Sequence, residues 1–171
     1  NGYQNISNTS RSLLNFWFET EHQDNFRYYF AQRESVETII YLFENDGLKS
    51  TKELLKFDSW GTLTESILKD NWLRFVLKQA TGTGKTKVMS LLIAWSYFHK
   101  LYEHESRLSQ NILLLAPNTI VLDRLKDDID GLKVFKNDPV LPTNGIDGHL
   151  WQSDFKPTVH IQDNISKISN S

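Results

Sequence analysis

Gln79-Ala80-Thr81-Gly82-Thr83-Gly84-Lys85-Thr86 lies between a short apolar run, Arg74-Phe75-Val76-Leu77-Lys78, and a long helical pattern that opens at Lys85. A strand, a glycine-rich turn ending in Lys-Thr and a helix together form a phosphate-binding loop. Gly82 and Gly84 let the backbone curl, so that successive N–H groups aim at phosphate oxygens. The helix start adds the positive end of its dipole. The Lys85 ammonium can reach the β and γ phosphates of a nucleoside triphosphate, and the Thr86 hydroxyl can ligate Mg²⁺. Thr81, Gly82, Thr83, Gly84, Lys85 and Thr86 are therefore the expected ligand residues, with Thr86 the metal ligand. The common pattern G-x-x-x-x-G-K-[ST] has glycine where this chain has Gln79.

Downstream of the loop, Val88, Leu91, Leu92 and Trp95 make one helical stripe that Phe98 and Tyr102 extend, predicting a helix from Lys85 to about Tyr102. The continuous apolar run Asn111 to Ala116 suits a strand buried on both faces of a parallel sheet. Strand, helix and strand in this order are a βαβ unit, hence an α/β fold. Pro117-Asn118 ends the second strand. A further helix, Thr119 to Ile129, carries Leu122, Leu125 and Ile129 on one face and is closed by Gly131. Asn137 to Asp154 holds Pro139, Pro142, Gly145 and Gly148 and reads as an irregular loop. Thr158 to Gln162 is a candidate third strand. Upstream of the loop, Asn1 to Ser10 is polar and expected to fray. The aromatics between Phe16 and Phe30 are expected to pack rather than to stack bases, because only Arg27 and Arg33 are interleaved with them. Gln32 to Asn45 is a helix with Val36, Ile39, Ile40 and Phe43 on one stripe, ended by Asp46-Gly47. Ser50 to Leu68 suits one or two short helices around Gly61. The expected organisation is a helical extension over 1–73 and an α/β unit over 74–171.

The chain of 171 residues carries a formal net charge of −2, too balanced for a wholly basic nucleic-acid module, though a local groove remains compatible with it. It has no cysteine, which excludes disulfides, thiol catalysis and cysteine-ligated zinc within these residues and fits a cytoplasmic protein. No basic region followed by an apolar stretch opens the chain. The longest mostly apolar run, Val88 to Phe98, falls well short of the roughly 20 residues that span a bilayer, so no membrane partner is expected. The chain lacks an initiator Met, which suggests a piece of a longer protein. The histidines show no metal-ligand spacing, and Asp127-Asp128-Asp130 reads as a solvated face.

Three stretches together resemble one family. Phe26-Arg27-Tyr28-Tyr29-Phe30-Ala31-Gln32-Arg33-Glu34-Ser35-Val36-Glu37-Thr38 looks like the Gln-Arg-Glu segment before the motor of type III restriction enzyme Res subunits. Ala80 to Thr86 matches their phosphate loop, in the T-G-x-G-K-T form of superfamily 2 helicases of the DEAD/DEAH type. Leu113-Leu114-Leu115-Ala116-Pro117-Asn118-Thr119-Ile120-Val121-Leu122-Asp123-Arg124-Leu125 looks like the next helicase motif. The resemblance covers roughly residues 11 to 165. It implies a truncated RecA-like lobe with a parallel sheet, ATP and Mg²⁺ as cofactors, and movement along double-stranded DNA beside a modification methyltransferase subunit. By the same resemblance Gln32 matches a glutamine that reads the adenine edge, since an amide can complement N6 and N7. Its alternative is an exposed glutamine at a helix start. Pro117, Asn118 and Arg124 match or adjoin a motif that faces the DNA backbone. Their alternatives are a strand-to-helix turn capped by Asn118 or Thr119, and a solvated arginine.

Superfamily 2 motors need an apolar strand ending in Asp-Glu, and this chain contains no Asp-Glu dipeptide. Asp163 is a weak stand-in, because Asn164 after it cannot act as a base. No catalytic residue is therefore assigned, and hydrolysis by these residues alone is expected to be very slow. The competing readings are a nucleotide-binding scaffold without turnover, another superfamily 2 helicase, and an unrelated phosphate-loop enzyme such as a small kinase.

Overall fold

Two polar residues near the amino end, Thr9 and Ser10, are drawn inside. In the computed structural model, which describes residues 3–58, 60–61 and 73–161, Thr9 and Ser10 are buried in the first helix, α1 (Asn8–Phe18). Ser7 caps α1 by accepting from Ser10 N at 3.1 Å. Thr9 donates to Glu103 through its amide (3.1 Å) and its hydroxyl (2.6 Å), and the Ser10 hydroxyl donates to Glu44. The expected frayed terminus is therefore corrected from Ser7 onward. Hydroxyls with carboxylate partners can be buried where unpartnered ones cannot. Leu13, Leu14 and Trp17 form the apolar face of α1.

Helix α2 (Phe30–Ile40) buries Val36, Ile39 and Ile40 on the expected stripe, then widens into one π turn, Tyr41–Asn45, that buries Phe43. Gly47 follows at φ +60°, a left-handed helix stop. Thr51–Phe57 is a 3₁₀ segment, while Leu63 to Leu68 lie outside the described residues. Helix α3 (Lys85–Tyr102) has the expected bounds but a wider buried surface than one stripe. Helices α1 and α2 pack on it. Elsewhere Phe98 meets Trp151 and Tyr97 meets Phe155, with ring centroids 4.8 and 5.1 Å apart. Burying aromatics of this size contributes about 2–3 kcal/mol each, so α3 is the spine of the core.

The sheet has two described strands, β1 (Asn111–Leu114) and β2 (Thr158–Ile161). They run parallel, with Asn111 opposite Thr158 and Leu114 opposite Ile161. Parallel neighbours need a long crossover. Here it carries α4 (Thr119–Leu125), a π turn over Lys126–Asp130, α5 (Lys133–Asn137), a 3₁₀ turn at Ile146–Gly148 and α6 (Trp151–Asp154). The predicted loop between Asn137 and Asp154 thus contains two helical turns. Its backbone is pinned by Trp17 Nε1, which donates to Val140 O at 2.8 Å, and by the Tyr28 hydroxyl, which donates to Pro139 O at 3.2 Å.

Two expectations about the sheet need correction. Arg74 to Lys78 joins no sheet among the described residues, and Val76 is 92% exposed. A strand is defined by its ladder, and local apolar sequence does not supply a partner. Nor is β1 buried on both faces: Leu114 is buried, Leu113 and Leu115 are exposed, and alternation replaces the continuous burial read from the run. The parallel relation between β1 and the predicted third strand is present. That strand is described as far as Ile161, and Gln162, Asp163 and Asn164 lie outside the described residues. The architecture is helical with a small parallel sheet, compatible with a truncated α/β fold. Among the described residues no helix is long and apolar enough to cross a membrane.

Candidate phosphate-binding site

Residues 81–84 form a turn that leads directly into α3. Gly82 sits at φ +83° and Gly84 at φ +78°, backbone that costs any other residue roughly 1–2 kcal/mol. Gly84 is the N-cap of α3 and brings no side-chain cap, so the first amides of the helix meet no capping side chain. Lys85 Nζ folds back over the turn and donates to Gln79 O at 3.0 Å and Ala80 O at 2.7 Å. The Thr83 hydroxyl donates to Ala80 O at 2.8 Å. Thr81 and Gly82 are exposed, and Thr86 is half-buried in the first turn of α3. Above Gly82 there is open space: a methyl group built there would meet nothing within 4 Å. A curled backbone, an uncapped helix start and an ammonium group make a donor set suited to a polyphosphate, and the Thr86 hydroxyl is the oxygen that the motif offers to Mg²⁺.

Gln32 is not the exposed residue that a helix start suggests. It is 1% exposed. Its Oε1 accepts from Tyr29 N at 2.9 Å, which caps α2 from within, and its Nε2 donates to Thr83 O, also at 2.9 Å. The amide therefore joins α2 directly to the loop. Gly84 lies so close that a Cβ there would overlap Gln32 Nε2, so glycine is required both for its φ and for this approach. The structure brings together Gln32, Thr83, Gly84 and Lys85.

Pro117, Asn118 and Arg124 occupy a separate segment after β1, and all three are exposed. Asn118 caps α4 by accepting from Val121 N at 3.0 Å. Arg124 lies in the last turn of α4, where a cation complements the helix dipole. The capping alternative for Asn118 is thus realised in the structure, and the Arg124 side chain is exposed at the other end of α4.

A family model described as "Type III restriction enzyme, res subunit" matches residues 25–167. The chain belongs to this family. No curated protein and no solved structure matches it. The stretch matched by the Res-subunit model takes in Gln32, the whole glycine-rich loop, the segment from Pro117 to Arg124 and β2, so every residue singled out by the motifs lies inside it.

Sequence reasoning does not single out two residues of this candidate site. Gln79 stands out only as a departure from the common pattern, and Ser35 carries no role within the Gln-Arg-Glu segment. Gln79 Nε2 donates to Ser35 Oγ at 2.7 Å, which makes a second link between the loop and α2. The signal in the sequence was the polar side chain standing where glycine is usual. Its partner could not be found without the fold.

Proposed function

We propose that residues 79–86 bind the phosphates of ATP with Mg²⁺, and that the chain is the ATP-binding portion of a DNA translocase or helicase subunit of a restriction-modification endonuclease. In this reading Thr81, Gly82, Thr83 and Gly84 offer backbone donors, Lys85 balances the phosphate charge, and Thr86 holds the metal. Gln32 enters the site through Thr83. Residues 1–73 are a helical extension, and residues 74–171 are the first part of a RecA-like lobe. Pro117, Asn118 and Arg124 form the side turned to double-stranded DNA. The partner is a modification methyltransferase subunit, and the setting is the cytoplasm. ATP supplies the free energy for movement when it is bound, and the residues described here bind and orient it.

One observation carries the reading: two left-handed glycines open an 18-residue helix whose first side chain, Lys85, curls over the same turn. The family match supports the wider role. The test is a calorimetric titration of Mg²⁺-ATP into the chain and into Lys85→Ala. Removing charge-assisted bonds to phosphate weakens binding by about tenfold or more. Equal affinities, or no binding by the unaltered chain, would count against the site.

A further inference from the structure

Gln79 touches three parts of the site at once. Its Nε2 donates to Ser35 Oγ at 2.7 Å and lies 3.4 Å from Ala31 O, both on α2. Its Oε1 lies 3.4 Å from the Thr83 hydroxyl in the middle of the loop, and its backbone oxygen accepts from Lys85 Nζ at 3.0 Å. Ser35 is held in turn, because its hydroxyl donates to Ala31 O at 2.6 Å. A glycine at position 79 would keep only the backbone part of this set. Gln32 makes the opposite reach, from α2 to Thr83 O. One amide thus crosses from the loop to the helix and another from the helix to the loop, and the two crossings bracket the turn.

We infer that Gln79, anchored by Ser35, is a positioning residue that acts with Gln32 to fix the phosphate loop on the first turns of α2. This role rests on the phosphate-binding reading and deepens it. A loop whose Thr81 and Gly82 are exposed has little packing of its own, and two amide braces replace that packing with directional bonds. The groups that Gln32 turns toward the protein are engaged with Tyr29 N and Thr83 O, and the side chain is buried. Both glutamines therefore act on the phosphates through the loop, and their effect does not depend on which base the nucleotide carries.

The test uses the 171-residue chain with Ser35→Ala, Ser35→Thr, Gln79→Ala, Gln32→Ala and the Ser35→Ala/Gln79→Ala double variant. The first readout is hydrogen exchange of the Lys87 and Val88 amides, which donate to Gly84 O at the end of the loop, against amides further along α3, without nucleotide. Ser35→Ala and Gln79→Ala speed this loop-end exchange by about three- to tenfold, the effect of losing one neutral hydrogen bond. The double variant adds little to either, Ser35→Thr restores the slow rate, and the rest of α3 is unchanged. The second readout is affinity for ATP, GTP and inorganic tripolyphosphate, which fall by a similar factor in Gln79→Ala and in Gln32→Ala. Unchanged loop exchange in Gln79→Ala, or acceleration spread evenly over α3, would overturn the brace. A loss confined to ATP would overturn it in favour of direct base contact. If the unaltered chain binds none of the three ligands, the nucleotide reading fails, while the exchange result still decides the role of Gln79.

Discussion

Gly84→Ala is the sharpest probe of the loop, because two separate costs meet at one methyl group. The first is conformational. At φ +78° an alanine gives up roughly 1–2 kcal/mol relative to glycine. The second is steric. The new Cβ would overlap Gln32 Nε2, the tip of a side chain that elsewhere could swing aside. Here it cannot move freely, because the amide is buried and tied at both ends, to Tyr29 N and to Thr83 O. Displacing it breaks one or both bonds, each contributing about 0.5–1.5 kcal/mol, so the total cost is about 1.5–5 kcal/mol. Gly82→Ala is the built-in control. It has a similar φ of +83° but open space around the added methyl group, so it carries only the conformational cost of about 1–2 kcal/mol. Urea unfolding of both variants, compared at constant m-value, measures the difference. Gln32→Ala combined with Gly84→Ala should then cost about 1–2 kcal/mol less than the sum of the single changes, because the shorter side chain removes the overlap. Equal destabilisation by the two glycine substitutions, or a strictly additive cycle, would refute the coupling between α2 and the loop.

Other consequences follow from the core. His99 is buried beside Glu44, Glu103 and Arg107. Burial holds its imidazole below the ordinary value of 6.5 in spite of the two carboxylates. The unfolded chain therefore takes up this proton first as pH falls. The stability contributed by neutral His99 is complete above about pH 6.5 and is lost as pH drops through and below it. Unfolding measured from pH 8 to pH 5 should show this slope in the unaltered chain and a shallower one in His99→Gln, and identical slopes would contradict it. Trp17→Phe removes the bond from Nε1 to Val140 O and leaves that buried carbonyl unpaired. It should destabilise the chain by about 2–3 kcal/mol in the same denaturation assay.

Helix signals were the most legible part of this chain. The stripe from Val88 to Tyr102 gave α3 its true bounds, because a periodic apolar pattern of that length has one stable solution. The strands were read less well, and for a physical reason. The run Asn111 to Ala116 is apolar throughout, but how much of it is buried depends on what covers each face, and that is a property of the other elements. Arg74 to Lys78 makes the same point, since its apolar residues promised a strand and no described ladder includes them. At the amino end the error ran the other way. Thr9 and Ser10 look like solvent-facing residues, and they are buried only because Glu103 and Glu44, distant in sequence, accept their hydroxyls. Glu44 also accepts from Trp95 Nε1 at 3.2 Å and lies 3.4 Å from His99 Nε2, so one carboxylate gathers α1, α2 and α3 around it. No local pattern encodes that.

The candidate site divides along the same line. Its glycines and its Lys-Thr pair were legible because backbone curvature and charge are local properties that few residue types supply. What holds them in place was not. Gln32 and Gln79 bind across the gap between α2 and the loop, and their partners, Thr83 and Ser35, are 51 and 44 residues away in sequence. The structure ties α2 to α3 twice, once through the apolar core at Val36, Ile40 and Leu91 and once through these amides at the loop. A helix fixed along its length by packing and at its start by hydrogen bonds cannot shift without moving the turn it carries. The segment before the glycine-rich loop is therefore part of the candidate phosphate site in the mechanical sense, although the sequence points only to Gln32 within it, and for a different reason.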